Sequence, residues 1–293
     1  MTPLTTLYIA ELRKLLKRPM TWVLGLILVG LVFFIYATLT LTLVGPEVID
    51  DLAVTVEGES GAAMDRDSLK ESLLLPDGLF MGAGLVQLIV VTLVIVLAAG
   101  SIGSEFGWAT IRTSLLMGAT RTRLLIAKAG ALVTYGLAGI LSGLLLTIAA
   151  SWLIGSALGE GTSVTSWLNG SFLLDFVQIV LLTMVAVVLW AVVAGAITIV
   201  TRSLAAGLAV ALALAFLGGQ ISVLLGQMGS AGVWLSRALP NAGVDALIVL
   251  NSTSPPSYGT GDWIWILGNI LVWLIGMSVL AIVTFRRMDT LAA

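Results

Sequence analysis

Residues 79–102 read LFMGAGLVQLIVVTLVIVLAAGSI, without one charged side chain. Wound as an α-helix at about 1.5 Å per residue, this segment is roughly 36 Å long. A bilayer core of about 30 Å needs about 20 apolar residues of helix, because lipid offers the backbone no partner and a helix satisfies itself internally. The segment therefore reads as a transmembrane span. Five further runs reach that length, at 22–44, 124–154, 172–200, 204–225 and 263–285. The runs at 124–154 and 172–200 exceed the minimum, which allows tilt or extension beyond the bilayer. All six are continuously apolar where a transmembrane barrel alternates, so the expected fold class is an all-α integral membrane protein with six transmembrane helices.

Composition agrees. Of 293 residues, 59% are hydrophobic and 10% charged, with a mean hydropathy of +1.11; soluble domains carry about 25% charged residues, so a water-soluble globule is excluded. Cysteine and histidine are both absent, which removes disulfides, thiolate catalysis, Cys/His zinc sites and haem ligation by those residues. The net charge of −2 and pI near 5.1 give no basic footprint for a nucleic-acid partner.

The placement of charge orients the chain. On one side of a six-span threading lie Arg13, Lys14, Lys17, Arg18, Arg112, Arg121, Arg123, Lys128, Arg202, Arg286 and Arg287; on the other lie Arg66, Lys70 and Arg237. Cytoplasmic flanks are enriched in Lys and Arg, so both termini of this multi-pass chain are expected in the cytoplasm. The first run is too long for a signal-peptide core, follows a basic cluster and ends without an A-x-A-like site; it reads as a retained anchor.

Residues 1–19 precede it. Leu4, Leu7, Tyr8, Leu12, Leu15 and Leu16 recur at three- and four-residue steps, while Glu11, Arg13, Lys14, Lys17 and Arg18 occupy much of the remaining surface. The pattern predicts an amphipathic helix lying on the cytoplasmic interface and touching lipid, its marker residues Leu12, Arg13, Lys14, Lys17 and Arg18, with Pro3 in its first turn and Pro19 breaking it from the span. Segment 45–78 carries nine acidic residues against Arg66 and Lys70 and reads as a solvated external loop, closed by the turn Pro76-Asp77-Gly78. Segment 226–262 is too polar to cross, yet Val233, Trp234, Leu235, Leu239 and the run from Val244 are too apolar for a free loop. Short helices re-entering the outer interface fit both facts. Triplets at Asn169 and Asn251 match a short glycosylation pattern with a high chance rate and receive no role.

Reactive chemistry is sparse. None of the lysines follows glycine, so the phosphate-binding pattern G-x-x-x-x-G-K-[ST] is absent. Ser-His and Cys-His pairs are impossible, and no aspartate pair sits at mid-span. No catalytic residue and no metal site is expected. Lys128 and Asp175 lie near span ends, where each is expected to reach water. Asp175 with Gln178, one turn on, is a possible intramembrane polar site, for which a structural or interfacial role is favoured. Small residues form two stripes in the fifth span, Ala205, Ala209, Ala213 and Gly207, Ala211, Ala215, and predict close helix packing.

Residues 104–128 read SEFGWATIRTSLLMGATRTRLLIAK, too apolar for a connector, with aromatic and arginine side chains of the kind that dominate protein interfaces. A loop folded against the basic leader is the alternative. The succession Glu105, Gly107, Thr110, Arg112, Leu115 and Leu116, Arg121 or Arg123, then Lys128 opening the third span resembles the permeases of the ABC-2 type transporter family, although Trp108 and Ala109 separate the family's Gly-Thr pair and Gly118-Ala119-Thr120 stands where a proline is common. The leader helix and six-span layout extend the likeness over most of the chain. The resemblance implies the ABC-2 type exporter fold in one permease domain spanning 1–293, with a coupling loop at 103–123. It implies a homodimer, or a heterodimer with a second permease, docked on cytoplasmic ABC ATPase subunits that hold the ATP and magnesium; this chain would carry no cofactor and would not be an enzyme. Glu105, Phe106, Trp108, Thr110, Arg112, Leu115 and Leu116 would be the ATPase-coupling residues, and cargo would be exported near the second and fifth spans. An ion-coupled secondary transporter or channel is the alternative function.

Overall fold

The computed structural model describes residues 3–44, 66–107, 120–159 and 163–288. Among them the regular structure is helical throughout. Helix α1 (Leu4–Lys17) presents Leu7, Tyr8, Glu11, Leu12 and Leu15 to the bundle, while Leu4 and Leu16 stay exposed. Arg18 is extended and Pro19 opens the next helix, α2 (Pro19–Val44). A first-turn proline costs no hydrogen bond, whereas the residue before it is driven out of the helical region, which sets the break at Arg18. The corner is tied by Thr21 Oγ1 donating to the Leu15 carbonyl at 2.5 Å and Trp22 Nε1 donating to the Leu16 carbonyl at 2.8 Å.

The described part of the acidic segment is not a plain solvated loop. Residues Arg66–Leu73 form α3, with Leu69 and Leu73 buried against α2 and the following helix, α4 (Gly78–Gly107). Two leucines four apart are enough to seat two turns of helix. The expected turn at Pro76–Gly78 is present, with the amides of Leu79 and Phe80 bonded to the carbonyls of Pro76 and Asp77 at 3.0 Å; residues 45–65 lie outside the described residues.

Beyond α2 and α4, four more helices are long and apolar enough to cross a membrane: α5 (Arg121–Ala157), α6 (Gly170–Thr201), α7 (Leu204–Gly226) and α10 (Thr260–Arg287). The protein is a multi-pass membrane protein, with helices covering all six predicted runs. Asn169, which opens the first of the two triplets noted above, caps α6 by accepting from the Phe172 amide at 2.9 Å, and left-handed Arg202 turns the chain from α6 into α7. Helix α4 is the centre of the bundle: it packs on α2, α5, α6 and α7, and 67% of its apolar window is buried, against 11% for α7 and α10. In α7 the stripe Gly207, Ala211 is buried, whereas Ala205, Ala209 and Ala213 face outward.

Between α7 and α10 stand α8 (Ser230–Ala238) and α9 (Pro240–Ile248), the latter prolonged by a 3₁₀ turn to Asn251, bent by 77° at Leu239. Pro240 lacks the amide that would continue α8 and forces Leu239 into the extended region, so the bend is written in the sequence. Its apex is pinned on two sides. Asn269 Nδ2 in α10 donates to the carbonyls of Arg237 and Leu239 at 2.8 and 3.1 Å, Trp273 Nε1 donates to that of Ala238 at 2.9 Å, and Asn241 Nδ2 donates to Ala215 of α7 at 3.1 Å. Ala215 is midway along α7, so this pair of helices re-enters the bundle to about half its depth.

Candidate functional site

The first turns of α5 bring three basic residues, Arg121, Arg123 and Lys128, to one end of the bundle. Arg121 donates to the carbonyls of Phe285, Arg286 and Met288 at 3.1, 2.7 and 2.7 Å, neutralising the end of α10, where carbonyls lack helical partners. Beside it α1 lies across α5. The Tyr8 hydroxyl is 2.7 Å from Thr134 Oγ1, and Gly130 leaves room for the Tyr8 ring, since a Cβ there would sit 3.3 Å from it.

Four charges meet between these helices. Lys128, two turns into α5, donates to Glu11 Oε2 at 2.8 Å and to Glu105 Oε1 at 2.7 Å; Lys14 donates to Glu11 Oε1 at 2.7 Å and stands 3.5 Å from Glu105 Oε1. The clasp is formally neutral. Lys128, Glu11 and Glu105 are buried, and Lys14 is its solvent-facing edge. A buried carboxylate costs several kcal/mol unless paired, so each member holds the others in place. Burial by itself would raise the Glu11 pKa, but the ammonium of Lys128, then that of Lys14, outweigh it and hold the carboxyl below its ordinary value. Burial likewise pulls Lys14 down, and Glu11 with Glu105 reverse this to a net rise. Glu105 Oε2 is buried without a hydrogen-bond partner.

The clasp joins three elements: the leader helix, the last turn of α4 and the start of α5. The turn before it carries α2 and α7. A Cβ on Gly100 would lie 2.8 Å from the Met20 methyl, and one on Gly103 would lie 2.6 Å from Leu204 Cβ and 2.8 Å from its Cα. Four elements, α1, α2, α5 and α7, therefore converge on the last two turns of α4, which run directly into residues 108–119.

The sequence-predicted residues divide accordingly. Glu105 is inside the clasp, turned away from solvent. Phe106 is half-buried beside a small cluster of Ile102, Leu124, Ile199, Phe285 and Met288. Trp108, Thr110, Arg112, Leu115 and Leu116 lie outside the described residues. In α1, Leu12 is half-buried, Arg13, Lys14 and Lys17 are exposed and Arg18 is half-buried. The expectation that Lys128 reaches water is corrected: two carboxylates satisfy it inside the protein. Glu11, read from the sequence as part of the polar face, is 5% exposed; its place in the stripe 7, 8, 11, 12, 15 was the available signal. Asp175 is half-buried and Gln178 exposed; Gln178 Nε2 donates to the Leu250 carbonyl at 3.0 Å and anchors the turn after α9. Among the described residues no group of Asp and Glu is arranged to hold a metal ion. Compared with known proteins, the chain matches no family model and no curated sequence.

Proposed function

We propose that this chain is the membrane-spanning permease subunit of an ATP-binding cassette exporter of the ABC-2 type. It lies in the plasma membrane with both termini cytoplasmic, pairs with a second permease, and takes its energy from separate cytoplasmic ATPase subunits that bind ATP and magnesium. The observation that carries the reading is the clasp. A chain without a nucleotide site of its own must receive mechanical work through contact, and the turn at Glu105 is the place where a push on residues 108–119 reaches the leader helix and three spans together. Helix packing is close and discrete, so a displacement at that turn moves helices as bodies, opening the bundle alternately to each side.

Arg112→Glu tests this within residues 108–119, leaving the buried clasp intact. The variant is expected to insert normally and to lose ATPase co-purification or the coupling of hydrolysis to transport by at least tenfold. Wild-type recruitment and coupling in that variant, or transport by the purified chain on an ion gradient alone, would overturn the proposal; the second result would favour an ion-coupled carrier.

A further inference from the structure

The re-entrant helix α9 carries a carboxylate into the bundle. Asp245 lines a cavity of about 130 Å³ together with Gln87 and Thr92 of α4, Trp190 of α6, and Phe216 of α7. Gln87 is nine residues from the start of α4, about 14 Å down the helix, and Ala215, on the same wall, is midway along α7. The cavity is therefore in the membrane interior, and Asp245 stands exposed at its edge. Among the described residues no cation pairs with Asp245 and no basic side chain lines the cavity. An ionisable side chain at this depth is expensive and marks a pathway or a ligand.

One turn away, Asn241 fixes the position of α9. Asn241, on the same face of α9, is 3% exposed, and its Oδ1 has no hydrogen-bond partner although its Nδ2 is satisfied by Ala215. The amide is pressed against Gly218, where any Cβ would collide with it. That contact seats α9 on α7 and holds Asp245 at the edge of the cavity. The carboxylate and two aromatic rings, Trp190 and Phe216, together match a positively charged N–H donor, which gains from both.

The geometry points to Asp245, Trp190 and Phe216 as a subsite for the ammonium group of a cationic amphiphile. The cavity holds a head group and little more. The tail lies along exposed Leu88 and Leu217 on the adjoining faces of α4 and α7. This rests on the permease reading, whose cargo class it names.

The test uses the purified chain in phosphatidylcholine nanodiscs without any ATPase. Octylammonium is compared with octanol and octanoate, reading saturable stabilisation by thermal melting. Octylammonium is expected to bind about tenfold more tightly than octanol; Asp245→Asn abolishes the difference, and Asp245→Glu retains it. Equal stabilisation by the three probes on the wild-type chain overturns the inference without any variant, as does an ammonium preference that survives Asp245→Asn. The two readings separate cleanly. An ATPase that associates with a chain showing no ammonium preference leaves the permease standing and removes this subsite. An ammonium preference lost with Asp245 stands whether or not an ATPase associates.

Discussion

Lys128 holds Glu11 and Glu105 at 2.8 and 2.7 Å, so removing its ammonium leaves two buried carboxylates, one on α1 and one on α4, without the cation that joins them. Breaking a buried pair costs about 3–5 kcal/mol, whereas removing both partners costs far less. Lys128→Met is accordingly expected to lower stability by about 3 kcal/mol and Glu105→Gln by a comparable amount. The double variant should recover at least about 1 kcal/mol relative to their sum, as measured by unfolding in mixed micelles; strict additivity would remove the clasp as a coupled unit. The response to pH has a definite sign. Glu11 lies below its ordinary value of 4.5 when folded, so its contribution is complete above that value and lost only as pH falls through the lower folded pKa. Lys14 is raised above 10.5, so its contribution is complete below that value and lost as pH rises through the higher one. Between pH 6 and 9 these two groups leave stability flat.

At the scale of helices, the bundle's close contacts are set by glycines whose missing Cβ admits a neighbour. Gly103 is the sharpest case, because a Cβ there meets the Leu204 Cα as well as its side chain, and backbone yields poorly. Gly103→Ala should push the start of α7 off α4 and cost about 1–3 kcal/mol. Gly84→Ala, in the same helix with nothing within 4 Å, should be neutral or stabilising by up to about 1 kcal/mol. Equal melting temperatures for the two variants would show that α7 is not seated on α4 as described. This contrast also marks what the sequence discloses. Hydrophobic length found all six spans, because lipid imposes a rule on each segment separately. The bend at Leu239 was foreshadowed by Pro240 for the same local reason. The sites were harder to read because they are built between segments: Glu105 and Lys128 were singled out one at a time, but nothing in their spacing says that Glu11 closes the circuit. Asp245 escaped notice because segment 226–262 reads as lying outside the lipid, while its folding back to the level of Ala215 depends on Asn241 and Asn269 finding carbonyls on other helices.

Across the whole molecule, one end is held by Arg121 and the clasp, while the re-entrant pair with its polar cavity enters from the other. That polarity matters to the proposal only if the basic end faces the cytoplasm, where ATP is. The chain contains no cysteine, so single cysteines can be introduced and labelled on an otherwise silent background. Lys17 and Ser254 are both exposed, one at each end. Lys17→Cys is expected to resist a membrane-impermeant maleimide in intact cells and to react after permeabilisation, whereas Ser254→Cys should react in both. The reverse pattern would put the clasp outside, beyond reach of ATP-driven work, and would overturn the proposed function while leaving the six-span fold untouched. The charge distribution argues for the expected result. Inverting the bundle would carry Arg13, Lys17, Arg18, Arg121 and Arg123 to the outer face, against the bias of Lys and Arg toward the cytoplasmic side, and the three basic residues of the opposite end offer no comparable pull.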